Sequence, residues 1–508
     1  MGTIDYLMNG LATAMQWHNV LFVFFGVLIG TVVGVLPGIG PMSGVALLIP
    51  ITASLTAGLG PEEAATSSII LLAGVYYGAM YGGSTTSILL NTPGESSSVV
   101  TTLDGYQMAK QGRAGAALSI AAIGSFAAGL VALIGLIFLA NPLSAIAIKF
   151  GPAEYFSLMV LGLLAISGLA GKSMTKALMM TALGLLLATI GIDNVSGVAR
   201  FTFDLPELYQ GLEFLTVAVG LFAVGEVFKT ILHREGNEGE IARINGILPT
   251  KQDLKDSAAP IARGSLLGFA VGLLPGAGAI LASFFSYIME KKLSRNPSKF
   301  GKGAIEGVAA PESANNAAAG SAMIPLLTLG IPSSGTTAIM MGAFIMYNVQ
   351  PGPLLFQDHP QLAWGVIASM FVGNLMLIIL NMPMVKIFAK VIETPTKYLI
   401  PLIIVFSVFG VYAVQYSIFD LLLVMACGLI GYYLSRNDFP LAPLVLGLIL
   451  GPMMENNMRR ALTISNGDFM IFLQKPISLV FLIVGALWIL VPLVLKLRGK
   501  NVLVNEEG

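Results

Sequence analysis

The sequence contains very little charge and a single cysteine. Only 11% of its 508 residues are Asp, Glu, Lys or Arg, whereas soluble domains average about 25%. Because Cys427 stands alone, an internal disulfide is excluded, and cysteines cannot build a zinc or iron–sulfur site. The net charge is zero, which gives no indication of a nucleic-acid partner. With 56% hydrophobic residues, the composition is typical of an integral membrane protein surrounded by lipid.

Signatures of catalysis are also missing. No phosphate-binding P-loop motif is present, so ATP hydrolysis by this chain is not expected. The three histidines, His18, His233 and His359, lie in predicted loops, and the apolar runs hold almost no His, Asp or Cys. We therefore predict that the chain is not an enzyme and has no cofactor. No Lys or Arg precedes the first apolar run and no cleavage pattern follows it, so that run is predicted to be retained.

Long apolar runs alternate with short polar segments along the chain. A helix needs about 20 apolar residues to cross a hydrocarbon core of about 30 Å. These runs predict an all-α polytopic membrane protein with roughly 10–12 transmembrane segments. They lie near residues 19–36, 66–81, 115–140, 154–170, 174–192, 211–228, 264–288, 364–385, 398–414, 417–434, 440–453 and 477–496.

Two stretches combine small and hydroxyl residues with helix-breaking motifs. The first is GGSTTSILLNTPGESSS at 82–98, and the second is SAMIPLLTLGIPSSGTT at 321–337. Proline removes a backbone donor and glycine tolerates conformations that other residues avoid, so Pro93 and Pro332 mark sharp breaks. Pro332 lies 239 positions after Pro93.

A second pair of motifs repeats at nearly the same distance. Pro37 and Gly38 in GVLPGIG have counterparts 238 positions later in Pro275 and Gly276 of GLLPGAG. Two unusual motifs at nearly one offset predict an internal duplication, in which each copy carries a broken, re-entrant hairpin.

Equivalent loops of the two copies differ in basic residues. Loop 290–302 holds five Lys or Arg residues, whereas its counterpart 52–64 holds none. Because Lys and Arg are enriched in cytoplasmic loops, the two copies are predicted to be inverted repeats. The same rule places the central linker and the C-terminus inside the cell and the N-terminus outside.

The predicted organisation has four parts. They are a first membrane repeat at 1–228, a cytoplasmic linker at 229–263, a second membrane repeat at 264–455, and a C-terminal transmembrane helix with a cytoplasmic tail at 456–508. Arg459 and Arg460 fit this scheme poorly, because it places them outside the cell.

The two breaks form the predicted binding site, because irregular backbone at membrane depth survives only inside protein or along a wet cavity. Helix N-termini after each break offer free N–H groups and the positive end of a dipole to an anion. No Lys or Arg lies at 82–99 or 303–383, so a carboxylate would be held without a basic side chain. The predicted substrate-binding residues are Gly94, Ser96, Ser97, Ser98, Ser333, Ser334, Gly335, Thr336 and Thr337.

Amides and carbonyls at the breaks also predict sites for a coupling cation. Na⁺ is a hard cation that favours oxygen ligands, and the candidate residues for it are Asn91, Thr92, Asn315 and Asn316. Glu95 and Glu312 lie beside the breaks, and carboxylates within a membrane are usually functional. These two side chains are candidates for proton or ion coupling.

Purely structural interpretations stay open for each of these features. Glycine-rich helices also pack closely, so the LPGIG and LPGAG motifs could be plain kinks or contacts. Ser and Thr in membrane helices often bond to their own helix. Glu95 and Glu312 could instead be solvated at the membrane surface.

Longer motifs resemble one known family over nearly the whole chain. They are GxxxGxLPGIG at 30–40, YYGAMYGGSTTSILLNTPGE at 76–95, RFTFDxPELxxG at 200–211, and GVAAPESANNAAAGSAMIPLLTLGIPSSGTTAIMMGA at 307–343. With these motifs the chain resembles the large membrane subunit of the tripartite tricarboxylate transporters.

The resemblance implies a multi-pass secondary transporter of the bacterial inner membrane, driven by a Na⁺ or H⁺ gradient. It also implies a small four-helix membrane subunit and a periplasmic solute-binding protein as partners. Substrates of such systems are citrate and other di- and tricarboxylates. Many members have a glycine in the first two positions after the second proline, where this chain has Ser333 and Ser334, so citrate itself is not assigned.

Two inverted, broken hairpins are compatible with an elevator-like movement of the binding site. A carboxylate channel, a membrane-embedded enzyme and a non-transporting scaffold are the alternatives. The oligomeric state is not predicted.

Overall fold

The protein is almost entirely α-helical in its computed structural model, which describes residues 3–36, 39–169, 173–193, 196–232, 248–274, 278–392 and 396–497. Within these ranges the only sheet is an antiparallel pair of two-residue strands, β1 (Gly191–Ile192) and β2 (Ala199–Arg200). The prediction of an all-α protein is confirmed.

The helices begin and end as follows. The described part of the chain runs through α1 (Thr3–Ala14), α2 (Trp17–Val35), α3 (Gly40–Leu55), α4 (Pro61–Leu90), α5 (Val99–Lys110), α6 (Ala114–Ala147), α7 (Pro152–Leu169), α8 (Met174–Leu187), α9 (Phe214–Ala218), α10 (Gly225–Leu232) and α11 (Lys251–Gly272). It continues through α12 (Gly278–Leu293), α13 (Glu306–Ser321), α14 (Met323–Leu329), α15 (Gly335–Met346), α16 (Leu355–Asp358), α17 (Pro360–Ile392), α18 (Thr396–Gln415), α19 (Ile418–Arg436), α20 (Leu441–Ile464), α21 (Ile471–Gln474) and α22 (Pro476–Leu497). Short 3₁₀ turns lie at Ser96–Ser98, Pro206–Leu208 and Pro297–Lys299, and a π-helical segment, Val219–Val224, joins α9 to α10.

Six helical segments in the described part of the chain are long and apolar enough to cross a membrane. They are Trp17–Val35, Pro61–Leu90, Ala114–Ala147, Phe214–Leu232, Pro360–Met384 and Ile418–Arg436, and six shorter apolar helices accompany them. The chain is therefore a polytopic membrane protein. The number of 10–12 crossings stays a prediction, because length and hydropathy alone do not decide which short helices cross.

Contacts divide the chain into two compact units, each built from two stretches of sequence. The first comprises Met1–Ala147 and Leu215–Tyr433, and the second Ile148–Phe214 and Leu434–Gly508. The predicted repeat boundaries are a different division and stay a prediction. Helical structure extends into both ends of the predicted linker, because α10 reaches Leu232 and α11 begins at Lys251.

Backbone-to-backbone packing through glycine forms the core of the first unit. A Cβ atom added at Gly30 of α2 would lie 2.4 Å from the carbonyl oxygen of Val75 in α4. A Cβ atom added at Gly268 of α11 would lie 2.2 Å from the carbonyl oxygen of Ala314 in α13. The two glycines are 238 positions apart, and their partners Val75 and Ala314 are 239 apart. The same close approach recurs one turn to either side, at Gly26 and Gly34 on α2 and at Gly264 and Gly272 on α11.

The helices α4 and α13 lie at the centre of this unit. Every residue of α4 from Ala64 to Leu89 is buried, and so is every residue of α13 from Gly307 to Ser321. Protein rather than lipid therefore surrounds the polar side chains of both helices, which lowers the cost of placing them at membrane depth.

In the second unit, α7 packs against α20 and α22. An ion-pair network joins the strand β2 to α20: Arg200 binds Glu455 at 2.8 Å, and Arg459 binds Glu455 at 2.6 Å and Asp193 at 3.0 Å. The Arg200 hydrogen bond, opposed by partial burial and assisted by Arg459, holds the pKa of Glu455 below its usual value. These contacts give Arg459 a structural role that the sequence did not suggest, whereas Arg460 is exposed.

Candidate functional site

The first break begins where α4 ends at Leu90. Asn91 adopts a left-handed conformation, with φ of 58°, and the extended Glu95 then precedes the turn that starts α5. The Glu95 carboxylate accepts the backbone N–H of Ser98, and the Ser98 hydroxyl interacts with the Glu95 backbone N–H. This reciprocal arrangement is a capping box, which satisfies donors left free at a helix start.

The second break has the same backbone design 239 positions later. Gly330 ends α14 with a left-handed φ of 69°, and Ser334 caps α15 in a capping box with Thr337. Glu95 and Ser334 have nearly identical backbone angles, with φ of −144° and −149° and ψ of 162° and 166°. Gly330 and Ser334 therefore occupy positions equivalent to Asn91 and Glu95.

A polar cluster joins the first break to the core helix of the second repeat. The Glu95 carboxylate accepts hydrogen bonds from the Ser97 hydroxyl and, at 2.9 Å, from the Asn315 side-chain amide on α13. The Ser97 hydroxyl is also 3.0 Å from the Asn315 side-chain oxygen. The Tyr76 hydroxyl of α4 lies near both Ser334 and Glu95, so it is placed between the two breaks.

A second buried cluster surrounds Glu312, one turn before Asn316 on α13. Its carboxylate, which is fully buried, accepts hydrogen bonds from Ser84 of α4 and Thr101 of α5. The Asn316 amide donates to the Ser125 hydroxyl on α6 at 2.7 Å and to the Glu312 carbonyl at 3.1 Å. Both clusters lie inside the protein, so the interpretation of Glu95 and Glu312 as solvated surface carboxylates is wrong.

A third buried carboxylate, Asp104 on α5, was missed by the sequence analysis. One of its oxygens accepts the backbone N–H groups of Gly301, Gly303 and Ala304 at 2.7–2.9 Å, and the other accepts the Tyr287 hydroxyl at 2.9 Å. It fixes the turn that leads into α13. Its signal in the sequence was a lone acid, Asp104, within a mostly uncharged helix after the first break.

The predicted site residues have different surroundings. Asn91 and Ser96 are exposed, and Thr92 is half-buried with a hydrogen bond only to the Leu90 carbonyl. Neither Asn91 nor Thr92 shares a hydrogen bond with Asn315 or Asn316 in the described part of the chain.

Most of the other predicted residues are at least partly buried. Gly94 packs closely on Gly34 and Gly83. Ser98 accepts a hydrogen bond from Ser87 at 2.8 Å, and Ser333 is 3.5 Å from the Ala322 carbonyl. The remaining members are the half-buried Pro93 and Gly335 and the buried Pro332 and Thr336. Pro37, Gly38, Pro275 and Gly276 lie outside the described residues.

Among the described residues, no group of three or more His, Cys, Asp or Glu side chains is placed to hold a metal ion. The polar clusters at the breaks consist instead of hydroxyls, amides and single carboxylates. Such groups suit an organic anion or a hard monovalent cation better than a transition metal.

Comparison with known proteins identifies the family to which the chain belongs. A sequence model of the tripartite tricarboxylate transporter TctA family matches residues 20–446. The chain belongs to the TctA family. The resemblance to the large membrane subunit of these transporters is thereby confirmed, and the chain is a component of a tripartite tricarboxylate transport system.

Two relatives of this TctA-family protein come from Agrobacterium vitis. One is described as an uncharacterized 52.8 kDa protein in the TAR-I ttuC' 3'region. It is 47% identical over 509 residues, and the alignment covers 100% of this chain and 100% of the relative. The other, an uncharacterized protein in the TAR-II ttuC' 3'region, is 46% identical over 234 residues, which are 46% of this chain and 97% of the relative. No solved structure matches the chain.

Proposed function

We propose that this TctA-family chain imports an organic di- or tricarboxylate across the bacterial inner membrane by secondary active transport. Coupling is to Na⁺ or H⁺. A periplasmic solute-binding protein delivers the substrate, and a small four-helix membrane subunit completes the assembly. The chain needs no cofactor and carries out no chemical reaction on its substrate.

The repeated break geometry is the observation that carries this proposal. Broken helices in equivalent positions of two repeats are the best sequence-level indication of a transporter's binding site. Here both breaks combine a left-handed residue, an extended capping residue and a new helix start, 239 positions apart. Ser97 and Ser98 at the first break and Ser333 and Thr337 at the second are buried. A carboxylate bound to these groups would exchange water for fixed hydrogen-bond donors.

The site holds its substrate without a basic side chain and changes sides by an elevator-like movement of the broken hairpins. A Lys or Arg at the centre of a membrane helix costs about 2.5–3.5 kcal/mol on insertion scales. Hydrogen bonds to a charged acceptor contribute about 1.5–3 kcal/mol each, so a few hydroxyl and amide donors are sufficient for micromolar binding.

Reconstitution tests this function. The chain is incorporated into proteoliposomes with its membrane partner, the binding protein is added, and uptake of radiolabelled di- and tricarboxylates is measured under separate Na⁺ and pH gradients. Accumulation that requires one of the gradients is expected. Equilibration without any gradient would instead identify a channel, and an intact assembly without uptake would identify a scaffold.

A further inference from the structure

A small polar cavity lies between α4, α6 and α17, beside the Glu312 cluster. Its volume is about 20 Å³, which is enough for one water-sized occupant. Its polar lining residues include Ser84 and Thr85 of α4, Ser125 of α6 and Asn381 of α17. Three hydroxyl-bearing residues and one amide beside a single small space can supply oxygen ligands to a small cation.

Two walls of this cavity are connected to polar groups on α13. Ser84 donates its hydrogen to the Glu312 carboxylate, so its lone pairs remain available as ligands. Ser125 accepts the Asn316 amide N–H at 2.7 Å. Asn316 is only 1% exposed, and its side-chain oxygen has no hydrogen-bond partner among the described residues. Asn316 contacts the cavity wall through Ser125 and does not itself line the cavity.

The charge around the cavity favours a monovalent cation. Glu312 is a fully buried carboxylate that accepts two hydroxyl hydrogens and forms no ion pair in the described part of the chain. Taking such a charge out of water is costly unless a positive charge compensates it. One carboxylate neutralises one unit of charge, whereas Ca²⁺ sites assemble several acidic ligands.

We propose that this cavity binds Na⁺, with the hydroxyls of Ser84, Thr85 and Ser125 as ligands and Glu312 as the compensating charge. The inference rests on the proposed transport function, for which Na⁺ at this position would be the coupling ion. It moves the cation site away from Asn91 and Thr92, which lie at the exposed end of the first break, and towards Asn316. A Na⁺ ion here would connect α4, which ends at the first break, to α13, which leads into the second.

Binding of ²²Na⁺ to the purified full-length chain in detergent tests the site directly. Thr85→Val keeps the shape of the side chain and removes its hydroxyl, and Ser125→Ala removes another. Each variant is expected to weaken Na⁺ binding at least tenfold. Ser144→Ala is the matched control. Ser144 is a buried hydroxyl on the same helix α6, has no hydrogen-bond partner in the described part of the chain, and does not line the cavity. Its Na⁺ affinity is expected to equal that of the wild type.

Three results would overturn the proposal. In the first, the wild-type protein shows no saturable Na⁺ binding, or K⁺ or choline displaces the bound Na⁺. The cavity would then hold only water. Uptake driven by a pH gradient, without Na⁺ binding, would make Glu312 a proton carrier instead. Normal binding by both cavity variants, with unchanged gel-filtration profiles, would place any Na⁺ site elsewhere.

The transport function is judged separately. Na⁺ binding that depends on Thr85 and Ser125 supports the site even where the reconstituted system moves no carboxylate, and that second result would contradict only the proposed function.

Discussion

At the scale of single residues, the two breaks differ in the group that caps the new helix. At the first, the Glu95 carboxylate already accepts a helix N–H, so a substrate carboxylate would compete with a protein carboxylate. At the second, the neutral Ser334 is the cap. The first N–H groups of α15, from Gly335 and Thr336, have no acceptor within their own helix. We therefore expect the second break to bind an anion better than the first.

Ser334→Ala is expected to weaken apparent substrate affinity about tenfold, or about 1.4 kcal/mol. The change removes the acceptor that Thr337 N–H contacts at 3.2 Å, together with a hydroxyl donor for the substrate. Ser97→Ala should have a similar effect, because its hydroxyl orients both Glu95 and Asn315. The measurement is the substrate dependence of uptake by the reconstituted system.

Ser96 is among the residues that the sequence predicted to bind substrate, but its side chain is exposed. We therefore expect Ser96→Ala to leave the affinity unchanged, and it is the control for this pair. Normal affinity in both Ser97→Ala and Ser334→Ala, beside lost binding when Lys110 or Arg113 is neutralised, would place the substrate site elsewhere.

Asp104→Asn is expected to destabilise the protein. Its carboxylate accepts four hydrogen bonds, three of them from the backbone turn before α13. Asparagine has one acceptor oxygen and adds an N–H₂ group that meets other donors, at a cost of about 1–3 kcal/mol for each unsatisfied buried group. The thermal midpoint of the purified protein should fall, whereas Asp358→Asn, at an exposed position, should leave it unchanged. Equal midpoints for the two variants would remove Asp104 from this structural role.

At the scale of elements, the sequence located the breaks well because proline and glycine act locally. The helices α4 and α14 end at Leu90 and Leu329, within three residues of Pro93 and Pro332. The side-chain partners could not be predicted in the same way. Glu95 meets Asn315 across 220 positions, and Ser84 meets Glu312 across 228. Such pairs depend on how the two repeats pack, which no local pattern encodes.

Hydropathy also underestimated the length of the central helix α4. The apolar run at 66–81 is shorter than α4, because the Gly, Ser and Thr residues after Tyr81 remain helical until Leu90. Burial of their polar groups against other helices allows this, and an average over side-chain hydropathy does not register it.

Glycine contacts between α2 and α4 and between α11 and α13 should be intolerant of any side chain. Gly30→Ala and Gly268→Ala would place Cβ atoms 2.4 and 2.2 Å from backbone oxygens. Overpacking of this kind costs about 1–3 kcal/mol or more. Both variants should give less folded protein and a lower midpoint in thermal unfolding.

The matched control for these two variants is Gly373→Ala, on α17. A Cβ atom there would meet its nearest neighbours at 3.5 and 3.6 Å, which is ordinary contact. Unchanged stability is expected for it. Wild-type midpoints for Gly30→Ala and Gly268→Ala would show that these helices separate more easily than the structure implies.

At the scale of the whole molecule, the inverted orientation of the repeats stays a prediction from the basic residues. Arg459 fits the inverted orientation poorly, because that orientation places this basic residue outside the cell. Its contact with Asp193 now shows that Arg459 and the segment after α8 share one end of the second unit. Their membrane side must therefore be the same, so one measurement on either segment decides both.

Single-cysteine labelling tests the orientation. Cys427 is replaced by Ala rather than Ser, because the residue is buried and packs closely against Gly220. A Cβ atom added at Gly220 would lie 2.5 Å from the Cβ atom of Cys427. Ser298→Cys and Ala57→Cys then introduce thiols at exposed positions in the two equivalent loops. An impermeant maleimide applied to intact cells should label Ala57→Cys but not Ser298→Cys, because five basic residues hold loop 290–302 inside. Inverted vesicles should give the opposite pattern. Labelling of both thiols from one side would mean that the repeats are parallel, and the two broken hairpins would then enter the membrane from the same face.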